Sequence, residues 1–369
     1  MNLKIGMIGV GNIGLVHLLS IKKITEDKLL SRFGPEINIG GVADIDRSKL
    51  SNLKRNNPYN IEYFTVNPDE IIQDKSINVI YITTPTKFHK EYYIKAAKEG
   101  KIIFCEKPLA FSLEDINEMI LMEKKANIQT QVGLVLRHCP VLWKLKQILV
   151  ENAEFFGKRL SFIFRDTQEW PVATRIHTSE WRKDPSLAHA GCLFEHSIHD
   201  IDILEYLFTD NYKLTNLFAK IRYVATLTQA SLEDVATITF EYEDGFAGDL
   251  ISIWNKVRMD ERRLEIFFEN GYVILDGYTG ISFNKFEYMI GRKKKRLKMN
   301  DITEEYQEIH DYPKFQDITG HYIHENLNFL ESIIKKEKLY PGLEIGYRAH
   351  EIIEYAYQSS RENKIIHIN

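Results

Sequence analysis

The sequence predicts an α/β protein: a doubly wound parallel sheet at the N-terminus, followed by an α+β domain with a predominantly antiparallel sheet. Three observations lead there. A glycine pattern, Gly9-Val10-Gly11-Asn12-Ile13-Gly14, stands between a short apolar run and an amphipathic segment. Strand-like and helix-like patterns then alternate as far as Gly133, and from about Arg159 β-rich segments follow one another directly. At 369 residues the chain is too long for one ordinary core, and two domains are expected, 1–135 and 136–369.

Leu3 to Ile8 is a compact apolar strand running into the glycine turn, and Val16, Leu18, Leu19 and Ile21 continue as a helix. In such a turn the first glycine permits the tight bend, the second lets phosphate oxygens approach the backbone, and the third lets helix and strand pack closely. The helix start then offers free N–H groups and a positive dipole end to a pyrophosphate. Gly9, Gly11, Asn12, Ile13 and Gly14 are therefore expected to hold a dinucleotide. A second strand, Ile37 to Ala43, ends in Asp44, placed to accept hydrogen bonds from adenine-ribose hydroxyls. A carboxylate there repels the 2′-phosphate of NADP, while Arg47 could attract it, so NAD is favoured and NADP is the alternative. Asp44 could equally cap the helix beginning near Asp46.

The alternation continues with a strand at Ile77 to Thr83, then Thr84-Pro85-Thr86-Lys87-Phe88-His89 and a helix through Tyr93, Ala96 and Ala97. Next come the strand Lys101 to Cys105, the tripeptide Glu106-Lys107-Pro108, a helix from Ser112 to Ala126, and the strand Ile128 to Gly133. Strands this apolar, separated by helices, belong to a parallel sheet covered on both faces. This half reads as a Rossmann domain. Lys107 stands at a strand's carboxyl end, the edge where open α/β sheets bind ligands, and Pro108 restricts its backbone.

In the second half the strands are Arg159 to Phe164, Leu217 to Val224, Val235 to Tyr242, Ala247 to Trp254, Arg263 to Phe268 and Tyr272 to Leu275. Tight turns such as Glu243-Asp244-Gly245 and Asn270-Gly271 join several of them, as in an antiparallel sheet. Helices are expected at His324 to Lys336 and Leu343 to Glu362, with a last short strand at Ile365 to Ile368. The run Gly191 to Asp202 reads as one amphipathic helix, with Phe194, Ile198 and Ile201 on its packed side. Glu195, His199 and Asp202 then share a neighbouring face, which spacing alone makes a solvated one. Glu195, His196 and His199 are also a weak zinc pattern, without a further ligand cluster at suitable spacing, so no metal is expected.

Composition narrows the class. Apolar content of 44% with 27% charged residues suits a soluble globular protein, and a net charge of −4 argues against a general nucleic-acid or membrane-surface binder. The basic run Arg292 to Arg296 is expected as an exposed hairpin or strand end. No apolar stretch is long enough to span a bilayer, and Met1 to Gly11 lacks a cleavage site. Three scattered cysteines, Cys105, Cys139 and Cys192, fit a reducing cytoplasm.

The glycine turn, Thr84-Pro85 with His89, Glu106-Lys107-Pro108, Arg137 followed by Pro140, and the Glu195-to-Asp202 segment occur in one order. That order resembles the glucose–fructose oxidoreductase, inositol dehydrogenase and rhizopine-catabolism (Gfo/Idh/MocA) family over nearly the whole chain. The resemblance implies a large open sheet in the second domain that often forms the interface of a homodimer or homotetramer. It also implies a nicotinamide between the domains, Thr84, Pro85, His89, Glu106 and Lys107 among the cofactor contacts, and a cis bond after Lys107. The family's acid-and-histidine pair maps onto Glu195 and His199, and Asp202 matches the acid three positions on. Many members carry Asp at Glu195 and Gly at Ser197, and the glycine cluster before this segment is reduced here to Ala188-His189-Ala190-Gly191.

The implied chemistry is hydride transfer between a carbinol of a sugar, cyclitol or sugar derivative and NAD(P). His199 is the expected base, Lys107 the electrostatic stabiliser, and Glu195 orients the imidazole or binds a second hydroxyl. Arg137, Arg182, Glu195, His199 and Asp202 are the expected substrate contacts, with Trp181, Trp254 and Asn255 nearby; Trp254 reads better as core. Arg182 could hold a carboxylate or phosphate bidentately. Two other readings share this fold: a glycosidase or lyase that retains NAD and oxidises transiently, and a non-catalytic NAD-binding regulator.

Overall fold

The computed structural model describes residues 2–169, 180–184, 186–210, 212–224, 232–255, 260–277, 283–315 and 321–368. The chain divides into two compact units, one of residues 1–138 and 315–347, the other of residues 139–314 and 348–369.

The first unit alternates strand and helix in chain order: β1 (Leu3–Ile8), α1 (Asn12–Glu26), β2 (Ile37–Ala43), α2 (Arg47–Asn56), β3 (Tyr63–Thr65), α3 (Pro68–Gln73), β4 (Val79–Ile82), α4 (His89–Lys98), β5 (Ile102–Glu106), α5 (Leu113–Ala126) and β6 (Thr130–Gly133). The six strands lie in the order β3-β2-β1-β4-β5-β6, all pairings parallel. Order reverses between β1 and β4, and ligands bind beyond the carboxyl ends of such a switch point. Ile5, Met7, Ile80, Ile82, Ile103 and Cys105 are fully buried, which is why these strands read as apolar runs rather than as alternating ones.

The second unit begins with α6 (Pro140–Glu151), α7 (Ala153–Phe156) and β7 (Arg159–Glu169). A single π-helical turn at Cys192–His196 leads into α8 (Ile198–Phe208). Then come β8 (Leu214–Arg222), β9 (Val235–Tyr242), β10 (Ala247–Asn255), β11 (Glu261–Phe268), β12 (Gly271–Gly277), β13 (Lys285–Ile290), β14 (Lys293–Leu297) and α9 (Met299–Ile309). The chain next gives α10 (Tyr322–Lys335) to the first unit, and continues through α11 (Leu343–Glu362) to β15 (Ile366–His367).

This unit's sheet has nine strands, β14-β13-β12-β11-β7-β10-β9-β8-β15, antiparallel except where β7 and β10 pair. On β7, Phe162, Phe164 and Asp166 point into the core while Ile163 on the other face is 43% exposed. Trp254 is buried, as its place in a strand of alternating pattern indicates. The basic run forms the edge strand β14 after a turn at Gly291, and its exposed lysines discourage a further strand from pairing there.

By contacts, residues 315–347 group with the first unit. One expectation is corrected: Gly191 to Asp202 is not one helix but a π turn followed by α8. Glu195 lies on the former and His199 and Asp202 on the latter, so the three do not share one regular helical face.

Candidate active site

In the first unit the glycine turn has the geometry a pyrophosphate needs. Gly9 has φ +95° and sits so close to Thr83 that a Cβ would come within 2.8 Å of the Thr83 carbonyl oxygen. At Gly14 a Cβ would meet the Gly9 carbonyl oxygen at 2.3 Å, so only glycine lets α1 approach β1 this closely. Gly11 differs: a Cβ there meets nothing within 4 Å, leaving open space over the start of α1. That helix has no side-chain cap and no acidic residue in its first turn, so the N–H groups of Asn12 and Ile13 are left for an anion.

Asp44, buried at the end of β2, accepts from the Val10 N–H at 2.9 Å through Oδ2 and from the Asp46 N–H at 2.9 Å through Oδ1. Each oxygen keeps a lone pair for a ribose hydroxyl. Asp44 is not the cap of α2; that is Asp46, whose side chain accepts from the Ser48 N–H at 2.8 Å. Lys49 lies 3.7 Å from Asp44. The residues present fit an NAD dinucleotide.

Thr84 and Pro85 follow β4, and Glu106 and Lys107 end β5, all at the carboxyl edge. Lys107 is half-buried and its bond to Pro108 is cis. His89 is fully enclosed, with Nδ1 2.8 Å from the Pro108 carbonyl and Nε2 2.8 Å from the Thr84 carbonyl. Its ring thus braces the two loops against each other rather than reaching outward. Burial lowers its pKa, and the two carbonyls oppose that shift. Glu106 is also turned inward, accepting from His17 Nε2 at 2.9 Å and from the Lys107 N–H at 3.1 Å. Arg137 holds the Tyr340 hydroxyl and lies over that ring.

In the second unit the predicted residues Glu195, His199 and Asp202 lie on the π turn or on the helix that follows it. A carboxylate, Glu233, caps the turn: Oε2 accepts from the Gly191 N–H at 2.6 Å, and Oε1 accepts from Leu193 at 3.1 Å, Phe194 at 3.4 Å and the Tyr357 hydroxyl at 2.9 Å. Three backbone donors at a helix start are the groups that need an acceptor most. Burial nevertheless raises the Glu233 pKa. Gly191 is required because a Cβ would lie 1.9 Å from the Glu233 carbonyl oxygen.

Below the turn, Arg262 is enclosed between two acids, donating from Nε to Asp200 at 2.7 Å and from Nη2 to Asp166 at 3.3 Å. Ser197 donates to Ser252 at 2.7 Å. Burial pushes the Asp166 pKa well up, with Arg262 opposing. This network ties the start of α8, which carries His199, to β7, β10 and β11.

Glu195, His199 and Asp202 are all buried, which overturns the solvated-face reading. Arg182 Nε lies 3.4 Å from Glu195 Oε2, and its guanidinium covers the Trp181 ring. Among the described residues Glu195, His196 and His199 do not converge at metal-ligand distance. Sequence reasoning missed His17, Glu233, Arg262, Glu325 and Asn326. His17, Glu233 and Arg262 carry no local signal, because their partners lie far along the chain.

Comparison with known proteins places these features. Residues 3–134 match the family model described as oxidoreductase family, NAD-binding Rossmann fold, and residues 162–368 match its C-terminal alpha/beta domain. An oxidoreductase of Bacillus subtilis (strain 168), YrbE, is 30% identical over 73% of this chain and 73% of that protein. A myo-inositol 2-dehydrogenase of Thermotoga maritima is 26% identical over 74% of this chain and 75% of its own. A solved levoglucosan dehydrogenase complexed with NADH superposes with a TM-score of 0.83 over the whole of both chains at 21% identity. With both domain models matched in order and the glycine turn, Asp44 and the Glu-Lys-Pro edge in place, the chain belongs to the Gfo/Idh/MocA family of oxidoreductases with an NAD-binding Rossmann domain.

Proposed function

We propose that this protein is an NAD-dependent dehydrogenase that interconverts a secondary alcohol and a ketone on a cyclitol or sugar derivative. The observation that carries the proposal is the open, uncapped start of α1 beside the buried Asp44, a dinucleotide seat at the carboxyl edge that also bears Lys107. Relatives named for inositol and levoglucosan support the substrate class. Neither the NAD-retaining glycosidase or lyase nor the regulator has an observation in its favour.

When bound, NAD supplies the hydride acceptor. The chain's own residues handle charge and protons. His199 takes the hydroxyl proton, a task for an imidazole near neutrality. Lys107 lends positive charge to the oxygen as alkoxide character grows. Glu195 is engaged with Arg182, and the two together are assigned to hydroxyl recognition. Asp44 favours NAD over NADP by repelling a 2′-phosphate.

The outer face of the nine-stranded sheet, with Ile163 and Phe267 exposed on paired strands, is assigned to self-association. Among the described residues no helix is long and apolar enough to cross a membrane, and a cytoplasmic location is part of the proposal.

The test is a panel of myo-inositol, scyllo-inositol, levoglucosan and common aldoses, each with NAD and NADP, followed by absorbance of the reduced cofactor. Turnover with a cyclitol or anhydro sugar, faster with NAD, is expected. No cofactor reduction with any of them, in a protein shown to bind NAD, would overturn the dehydrogenase reading.

A further inference from the structure

Within the first unit lies a buried polar cluster that the steps above do not use. His17 on α1, Glu106 on β5 and Glu325 on α10 each bring one nitrogen or oxygen within 4.8 Å of the other two, and all three are buried. His17 and Glu106 are satisfied. Asn326 accepts from the Tyr81 hydroxyl at 2.8 Å and donates to His17 Nδ1 at 2.9 Å, so the His17 proton sits on Nε2 and goes to Glu106 at 2.9 Å. Glu106 takes its second donor from the Lys107 backbone.

Glu325 is different. It is 0% exposed, and among the described residues neither of its carboxyl oxygens has a hydrogen-bond partner. A charged carboxylate held without donors, beside a second carboxylate, is strongly unfavourable, and a neutral acid relieves both penalties. A cation in the triangle would have to take the His17 Nε2 lone pair, which carries a proton committed to Glu106, and would stand near Lys107.

We propose that Glu325 is a positioning residue that keeps its proton through neutral pH, so that one negative charge rather than two backs the Lys107 ammonium. Burial first, and the Glu106 charge second, act in this direction, with Lys107 opposing. The groups around it are His17 on α1, Tyr81 on β4, and Glu106 and Lys107 at the end of β5. The Val135–His138 turn, also packed on α10, adds His138 and the Arg137 that holds Tyr340. Glu106 alone balances the Lys107 charge, so the ammonium end can still favour a nearby alkoxide; an ionised Glu325 would leave the cluster net negative and oppose it. This catalytic part rests on the role given to Lys107 above, whereas the proton on Glu325 does not.

The sign of the pH effect follows. A carboxyl whose pKa is raised in the folded state makes that state bind more protons than the unfolded chain, so its contribution is full below the ordinary carboxylate range and fades as pH rises towards the folded pKa. Glu325→Gln mimics the protonated form and cannot ionise. In the full-length protein its melting temperature should match the parent near about pH 4 and exceed it increasingly towards about pH 9. On the alkaline side kcat/KM of the variant should fall less than that of the parent, because the variant has no carboxyl to ionise behind Lys107.

A Glu325→Gln protein that fails to fold, or melts lower than the parent across the range, overturns the proposal. So does a stoichiometric metal in the parent, found by elemental analysis and absent from the variant. Turnover on the substrate panel without the melting trend sinks this proposal alone. The melting trend in a protein that binds NAD but turns nothing over upholds the proton and sinks the dehydrogenase reading instead.

Discussion

A side chain that moves a proton and one that lends a charge leave different signatures when removed. His199→Ala should lower kcat by about 10²–10⁴-fold, the usual contribution of a positioned base. NAD affinity, measured by titration in the absence of substrate, should change little; full turnover in the variant would remove His199 from the chemistry. Lys107→Met keeps most of the stem and deletes the charge, and should lower kcat by roughly 10²–10³-fold, as loss of one preorganised stabilising group does. A change confined to KM would instead assign Lys107 to ground-state binding. Lys107 was singled out because Glu-Lys-Pro is a local pattern, and His199 because of its spacing from Glu195 and Asp202. The inward duties of Glu106 and His89 were not legible, since His17 and Pro108, 89 and 19 residues from them, meet them only through the fold.

At the level of the element, the π turn depends on Gly191 and Glu233. Gly191→Ala drives a methyl into the Glu233 carbonyl oxygen, 1.9 Å from an ideal Cβ, and overpacking of this kind costs about 1–3 kcal/mol or more. Glu233→Gln turns an amide N–H₂ towards one of the backbone donors and should cost roughly 1–3 kcal/mol. Thermal melts of both variants, with circular dichroism confirming the fold, check these values; unchanged melting would deny the cap any weight. β9 and α11 were read from the sequence with their observed limits because alternation and helical period are carried by the residues themselves. The π turn was read as ordinary helix because the widened ring is held by an acceptor 42 residues away. α6, α9 and β13 were passed over, although α6 opens with the favourable Pro140 at its first turn. β13 takes its pairing from β12, and α9 has few apolar residues to mark its buried side.

For the whole molecule, self-association through the open sheet predicts that Ile163→Lys combined with Phe267→Lys lowers the mass measured by light scattering while the monomer's melting changes little. An unchanged mass would remove that face from the interface. The two-domain expectation came from the change of pattern near Arg159; by contacts the first unit comprises residues 1–138 and 315–347. The return of residues 315–347 was invisible, because a helix pattern does not name the unit it packs on. That return has a consequence in time. Phe329 on α10 packs against Tyr81 and Phe104, and Asn326 completes the bonds of His17. A fragment of residues 1–138 alone should therefore lack a cooperative melt, and appending 315–347 through a flexible linker should restore one. On the ribosome, where domains generally fold as they emerge, the first sheet to be synthesised must wait for nearly the last helix. Until then its half-made face is the surface a chaperone would have reason to hold.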